Sequence, residues 1–369
     1  MSVETASPES AEHPVREELR RIASDTAYVF NLARGKVELP PATPADGPDP
    51  YGSPDPEWLR IDWREHRHQV DVVGAQVNYV EMGEGPPLLF IHGLSGAWQN
   101  FLENIPNFAR THRVVALDLP GFGSSPMPPW EISIPAYGRF VRDFCERLGI
   151  GRCSLVGNSM GGFVATEVAI TDPERVDDLT LVSAAGITWA TARREPAAVI
   201  ARMGRAATPV LFKFHMPGIR RRRLRKGYFQ GVFFDPDGIR REMLWENLVP
   251  ALQSPGYYDA LTTLWGYDIR DRLEEIGVPT LIVWGRNDRV VPVPAALSYK
   301  KRIGDNAELV IFDHCGHVPQ IERPERFNRV LEDFLKRTGS LDERGPLSVS
   351  RPRAVPPPGA TTATASARG

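Results

Sequence analysis

This chain is short of several features that would have decided its class at once. Only three of its 369 residues are cysteine. Cys145, Cys153 and Cys315 show neither the paired spacing of a metal site nor the density of a secreted disulfide scaffold. Reduced, buried thiols are therefore expected, and no metal held by cysteines. Charge of one sign is also missing: 44 Lys and Arg stand against 46 Asp and Glu, a net charge of -2. That balance does not suit a general nucleic-acid binder. No stretch reaches the roughly 18 uninterrupted apolar residues of a membrane span. The opening Met1-Ser2-Val3-Glu4 lacks the apolar core of a signal peptide. A cytoplasmic protein is expected, and the 42% hydrophobic and 24% charged residues are ordinary for a soluble globular one.

What the chain does have is one very tight turn, Leu155-Val156-Gly157-Asn158-Ser159-Met160-Gly161-Gly162. The apolar run Cys153 to Val156 reads as a buried strand. A helical segment, Phe163 to Thr171, follows with no room for a normal loop. Ser159 thus falls at a strand-to-helix junction, with Gly157 and Gly161 two residues away on either side. Such a turn forces its central residue into a strained backbone, and side chains at the flanking positions would collide. The strain exposes a hydroxyl at a helix N-terminus, where free N–H groups and the helix dipole favour a nucleophile. The competing interpretation is a Ser-capped glycine turn. Strand, motif and helix in that order favour the nucleophile.

The rest of the chain alternates in a way that supports this. Pro14 to Gly35 carries apolar residues at helical spacing. Leu39 to Pro56 is dense in Pro, Gly and Asp and reads as a linker, so residues 1–59 form an N-terminal helix and Pro-rich linker. From Arg60 a hairpin (Gln69 to Val73, Gln76 to Glu81) leads to the strand Pro87 to Ile91. A helical stretch from Trp98 to Arg110, the strand Arg113 to Leu117 and the helix Pro135 to Leu148 precede the Ser159 turn. A strand from Leu179 to Ser183 comes after it. The alternation stops at Gly186 and resumes with Thr280 to Trp284, a helix from Ala295 to Ile303, the strand Glu308 to Phe312 and the helix Pro324 to Thr338. Strands alternating with helices require an α/β fold with a mostly parallel sheet. Residues 60–186 and 266–338 are expected to form its core, 187–265 a helical lid, and 339–369 a disordered tail.

A serine hydroxyl needs a base, and in this topology the base comes from a loop at the carboxyl edge of the sheet. His317 follows the last strand in Asp313-His314-Cys315-Gly316-His317, and the glycine before it frees the turn. His314 is the competitor, with a surface role as its alternative. The imidazole in turn needs a carboxylate to hold its tautomer. Asp288, in Gly285-Arg286-Asn287-Asp288, lies just past a strand; its alternative is a turn aspartate bonded to backbone N–H groups. Ser183-Ala184-Ala185, after the strand that follows the nucleophile, offers no carboxylate. Donors for a developing oxyanion are expected from the backbone N–H groups of Met160 and of Leu94, in the loop His92-Gly93-Leu94-Ser95-Gly96. Asp118, in Asp118-Leu119-Pro120-Gly121-Phe122-Gly123, reads as a loop fastener.

Together these residues, from about Arg60 to Thr338, resemble the α/β-hydrolase superfamily. The resemblance implies an eight-stranded, mostly parallel sheet flanked by helices, a Ser159, Asp288, His317 triad and no cofactor. Ser159 argues against the dehalogenases and epoxide hydrolases of that fold, which use Asp. Gly157 to Gly162 and Cys315-Gly316-His317 are similar to the carbon–carbon hydrolases that cleave ring-fission products of aromatic compounds. Those usually carry Trp after the catalytic His, where Val318 stands here, and their oxyanion loop has a different glycine pattern. Lipid and carboxyl esterases share the remaining features. The expectation is a serine hydrolase acting on a carboxylic ester with a hydrophobic acyl group. The alternatives are hydrolytic carbon–carbon cleavage of a ring-fission dienone and, outside enzymes, a silent binding protein. A small hydrophobic substrate is the expected partner, with no nucleic acid; the oligomeric state is left open. In the lid, Arg220 to Lys226 is a dense cationic run bordered by Val210 to Phe214 and Val232 to Phe234. It reads either as a solvated face or as a contact for anionic lipid headgroups, placing the protein peripherally at a membrane.

Overall fold

The computed structural model describes residues 38–188, 221–252, 254–265 and 267–339. The helix expected over Pro14 to Gly35, much of the expected lid and nearly all of the expected tail lie outside these residues.

Eight strands form one sheet: β1 (Arg67–Val72), β2 (Ala75–Met82), β3 (Pro87–Ile91), β4 (Arg113–Leu117), β5 (Cys153–Asn158), β6 (Val176–Val182), β7 (Thr280–Gly285) and β8 (Ala307–Phe312). Their order is β1-β2-β4-β3-β5-β6-β7-β8. β1 pairs antiparallel with β2, and β2 with β4, whereas every pairing from β4 to β8 is parallel. β5 and β7 are buried along their whole length, which explains their continuous apolar sequence. The helices are α1 (Ile105–Phe108), α2 (Ile134–Arg147), α3 (Met160–Thr171), α4 (Arg222–Phe229), α5 (Arg241–Leu252), α6 (Tyr257–Thr263), α7 (Pro294–Ile303), α8 (Pro319–Glu322) and α9 (Pro324–Arg337). The core divides into two clusters, one on each face of the sheet. One centres on Phe163, Tyr137 and Trp284, the other on Phe90, Phe101 and Phe312. A twisted parallel sheet covered by helices on both faces places the carboxyl ends of its strands, and the loops after them, along one edge.

Two local expectations need correction. The helix expected from Trp98 to Arg110 is broken into a 3-10 turn, Trp98–Phe101, and the short α1. Pro106 has no N–H to donate back into a continuous helix, and it is tolerated only in a first turn. Nor is the Pro-rich stretch a free linker. It lacks regular structure, as its composition requires, but it is strapped to the core. Thr43 donates its N–H to Ile311 and accepts the Ile311 N–H on its hydroxyl at 3.0 Å, covering part of the edge strand β8. Arg286 and Arg323 reach the carbonyls of Pro40 and Asp49, each at 2.8 Å, and Arg326 reaches that of Thr43 at 2.5 Å.

Among the described residues of the expected lid, α4, α5 and α6 are the regular elements. Arg221, Arg223 and Lys226 are exposed, and Lys226 pairs with Asp237 at 3.2 Å. No described helix is long and apolar enough to cross a membrane.

Candidate active site

At the end of β5 the chain turns directly into α3, and Ser159 occupies the corner with φ 55° and ψ -117°. This left-handed conformation is costly for a residue with a Cβ. It is held by three backbone bonds: the Ser159 N–H reaches the Val182 carbonyl, and its own carbonyl accepts from Phe163 and Ala185. Both flanking glycines are obligatory. A Cβ on Gly157 would strike the Gly161 carbonyl, and one on Gly161 would strike the carbonyls of Ile91 and His92. Gly93 is also pressed against the corner, since a Cβ there would stand 2.9 Å from that of Ser159.

β7 delivers Asp288, which is fully buried. Its Oδ1 accepts the N–H groups of Val290 at 2.8 Å and Val291 at 2.9 Å. Its Oδ2 lies 2.8 Å from Nδ1 of His317. Asp288 thus makes the contacts that both interpretations require, one set on each oxygen. The turn bonds aim the carboxylate, and the aimed carboxylate meets the imidazole. Nδ1 is thereby the protonated nitrogen of a neutral His317, which leaves Nε2 as the basic one. His314 is elsewhere: its ring is exposed and pairs with Asp313 at 3.4 Å. Asp118 fastens its loop, accepting N–H groups from Trp98 and Ser124 and the Asn78 amide, each at 2.8 Å. Burial pushes its carboxyl up to about 6, against the pull of those bonds.

Two side chains escaped the sequence reading. His92 is fully buried at the base of the loop carrying Leu94. Its Nε2 accepts the Leu119 N–H at 2.9 Å, and Nδ1 lies 2.7 Å from the Gly93 carbonyl. One ring nitrogen accepts and the other donates, so the ring is neutral, and burial pushes its pKa down to about 4. Asn158 sends its amide to the carbonyls of Val182 at 3.0 Å and His317 at 3.3 Å, tying the serine corner to the histidine loop. A histidine directly after a buried strand was the available signal for the first. For Asn158 no local signal exists.

Ser159 and His317 open onto one cavity of about 530 Å³. Gly93 to Gly96, with Leu94 among them, form part of its wall. Met160 opens α3, where the first N–H groups have no acceptor within the helix. The opposite wall comes from the insertion after β6: Phe229, Phe233, Ala251, Tyr257, Leu261 and Trp265 among others. None of the described residues lining the cavity is Lys, Arg, Asp or Glu. Amides and hydroxyls supply the polar part of the described wall, with Asn100 donating to Asn247.

The model of the family described as "Alpha/beta hydrolase family" matches residues 88–330. A 2-hydroxy-6-oxo-6-phenylhexa-2,4-dienoate hydrolase of Comamonas testosteroni is 34% identical over 286 residues, spanning 72% of this chain and 93% of that protein. Among solved structures, a membrane phospholipase A described as a bacterial virulence factor is 29% identical with a TM-score of 0.57, covering 74% of this chain and 86% of its own. A meta-cleavage product hydrolase of Pseudomonas fluorescens IP01 is 26% identical with a TM-score of 0.60, covering 73% and 97% respectively.

Proposed function

The chain belongs to the alpha/beta hydrolase family, and we propose that within it the protein hydrolyses carboxylic esters whose acyl group is hydrophobic and uncharged. The observation that carries this reading is the cavity beside Ser159, whose described walls are largely apolar and include no Lys, Arg, Asp or Glu. A carboxylate buried there would lose its hydration with no Lys or Arg among the described wall residues to replace it, a cost of several kcal/mol in order of magnitude. An acyl chain, by contrast, gains on the order of 0.8 kcal/mol per buried methylene.

In this reading Ser159 Oγ attacks the ester carbonyl while Nε2 of His317 takes its proton. Asp288 stabilises the imidazolium through Nδ1. The N–H groups of Met160 and Leu94 receive the oxyanion. Collapse breaks the bond to the alcohol oxygen, which leaves with the proton from His317. Water, deprotonated by the same nitrogen, then attacks the acyl-enzyme; the acid departs and Ser159 is restored. The same role assignment treats the insertion over residues 187–265 as a lid.

A second reading is hydrolytic carbon–carbon cleavage of a dienone. The curated relatives favour it more directly than they favour the ester, as the 34% identity with a dienoate hydrolase illustrates. The membrane phospholipase A supports the ester instead. The substrate named for the first relative is itself an anion, which sets it against the uncharged described walls. The test is kcat/KM for a neutral p-nitrophenyl ester, its analogue ending in a carboxylate, and 2-hydroxy-6-oxo-6-phenylhexa-2,4-dienoate. The ester reading expects the neutral ester to exceed both by about a hundredfold or more. Efficient turnover of the dienoate with slow ester hydrolysis would replace it with the carbon–carbon reading.

A further inference from the structure

The strap at residues 38–56 and the loop that carries His317 meet at Glu322, the last residue of α8, which is fully buried. Its Oε1 accepts the N–H of Gly316 at 2.8 Å and that of Val318 at 3.4 Å. These are the two residues flanking His317. Its Oε2 accepts the Tyr51 hydroxyl at 2.5 Å and the Phe234 N–H at 2.8 Å. The Tyr51 oxygen in turn accepts the Asp235 N–H at 2.9 Å. Close by, His317 donates its own N–H to the Val232 carbonyl at 2.7 Å. Gly316 is packed so tightly against this segment that a Cβ would lie 2.5 Å from the Val232 oxygen. Three stretches remote in sequence, at 51, 232–235 and 316–318, therefore converge on one carboxylate.

We propose that Glu322 and Tyr51 are positioning residues for His317, so that the N-terminal strap forms part of the support for catalysis. His317 stands on a loop, where no helix or strand ladder holds its backbone. Its imidazole must nevertheless keep Nδ1 on Asp288 and present Nε2 to Ser159. Catalytic rates fall steeply when such a group shifts by even about 1 Å. Glu322 grips the peptide groups on both sides of His317 with one oxygen. Tyr51 and Phe234 hold the other oxygen and so determine which way the first one points. Burial pushes the Glu322 carboxyl up to about 7, with the Tyr51 bond the largest effect opposing it. At 2.5 Å the strap hydroxyl makes the shortest of the four bonds that this carboxylate accepts.

The inference rests on the proposed role of His317 as the base for Ser159. The full chain is tested as Tyr51→Phe, which deletes the donor to Glu322 and the acceptor of the Asp235 N–H but keeps the ring under Arg323, and as Glu322→Gln. Two rates are read below the melting transition: kcat and KM for a short neutral p-nitrophenyl ester, and the rate of Ser159 labelling by a fluorophosphonate. Tyr51→Phe should lower kcat and the labelling rate together by about five- to thirtyfold, with KM nearly unchanged. Glu322→Gln, which keeps only one acceptor oxygen, should lower both by about a hundredfold. A lowered Tm with wild-type kcat and labelling rate in Tyr51→Phe, the expectation for a merely structural bond, overturns the inference even if Glu322→Gln does not fold. Absence of labelling at Ser159 in the wild type overturns the serine-hydrolase reading, and this inference with it.

Discussion

Asn158 and His317 are joined across the mouth of the site: the amide of the residue before Ser159 donates to the carbonyl of His317 at 3.3 Å. The serine corner and the histidine loop, 159 positions apart in the chain, are thereby fixed to one another. Backbone placement of both partners is set before any substrate enters, and the orientation is completed by the Asp288 contact at 2.8 Å.

The Ser159→Ala variant is expected to lose nearly all turnover. Any residual rate above that of water reflects the oxyanion donors and substrate binding alone. Steady-state kinetics on a p-nitrophenyl ester measure this, and a wild-type kcat in the variant would remove Ser159 from the mechanism.

Asp288→Asn should lower kcat by about three to four orders of magnitude, because an amide can donate to Nδ1 and favours the wrong tautomer. Asp313→Asn and His314→Ala should remain within about twofold, since that pair faces solvent and exposed pairs contribute little. Parallel kinetics on the three variants decide the assignment; a severe Asp313→Asn with a mild Asp288→Asn would reverse it.

Gly161→Ala is expected to abolish soluble, folded protein or lower Tm by more than about 10 °C, because the new Cβ meets two backbone carbonyls that cannot rotate away. Gly151→Ala serves as the comparison: nothing stands within 4 Å of where its Cβ would lie, and its Tm should stay within about 2 °C. Thermal melts of both variants give the answer.

His92 carries a pH signature. Burial holds its folded pKa near 4, below the ordinary value of about 6.5. The folded state therefore binds fewer protons than the unfolded one between these values. This contribution is complete above pH of about 6.5 and is lost as the pH falls toward 4. Several buried carboxyls titrate in the same range with the opposite sign, so the effect is read as a difference. Between pH 7 and pH 5 the wild type should lose roughly 2 kcal/mol more than a His92→Gln variant. Identical pH slopes in denaturant titrations would mean that His92 accepts a proton in the folded state.

Contact with an anionic membrane is a further proposal, resting on the exposed Arg221, Arg223 and Lys226. Each basic residue at such a surface contributes about 1 kcal/mol, so changing all three to Gln should weaken vesicle binding by about a hundredfold at low salt. Co-sedimentation with phosphatidylserine vesicles measures it. Equal binding by wild type and variant, or none by either, returns these residues to a solvated face.

The sequence alone determined the alternating β/α plan, the serine corner and the loops bearing Asp288 and His317. Each of these rests on chemistry confined to a few neighbouring residues. Gly157 and Gly161 admit a corner that no other residues would, and continuous apolar runs identify strands buried on both faces. Local chemistry does not report which distant group satisfies a buried donor, and there only the tertiary structure decided. Pro and Gly between Leu39 and Pro56 exclude regular structure, yet they do not reveal that Thr43 covers β8 or that Tyr51 reaches Glu322 across 271 positions. Asp288 carries the same local pattern whether or not an imidazole faces its second oxygen. The uncharged character of the described cavity wall likewise emerges only when the loop after β3 and the helices of the insertion are brought face to face. Burial drives most polar groups to find a partner, and folding, not proximity in the chain, chooses which.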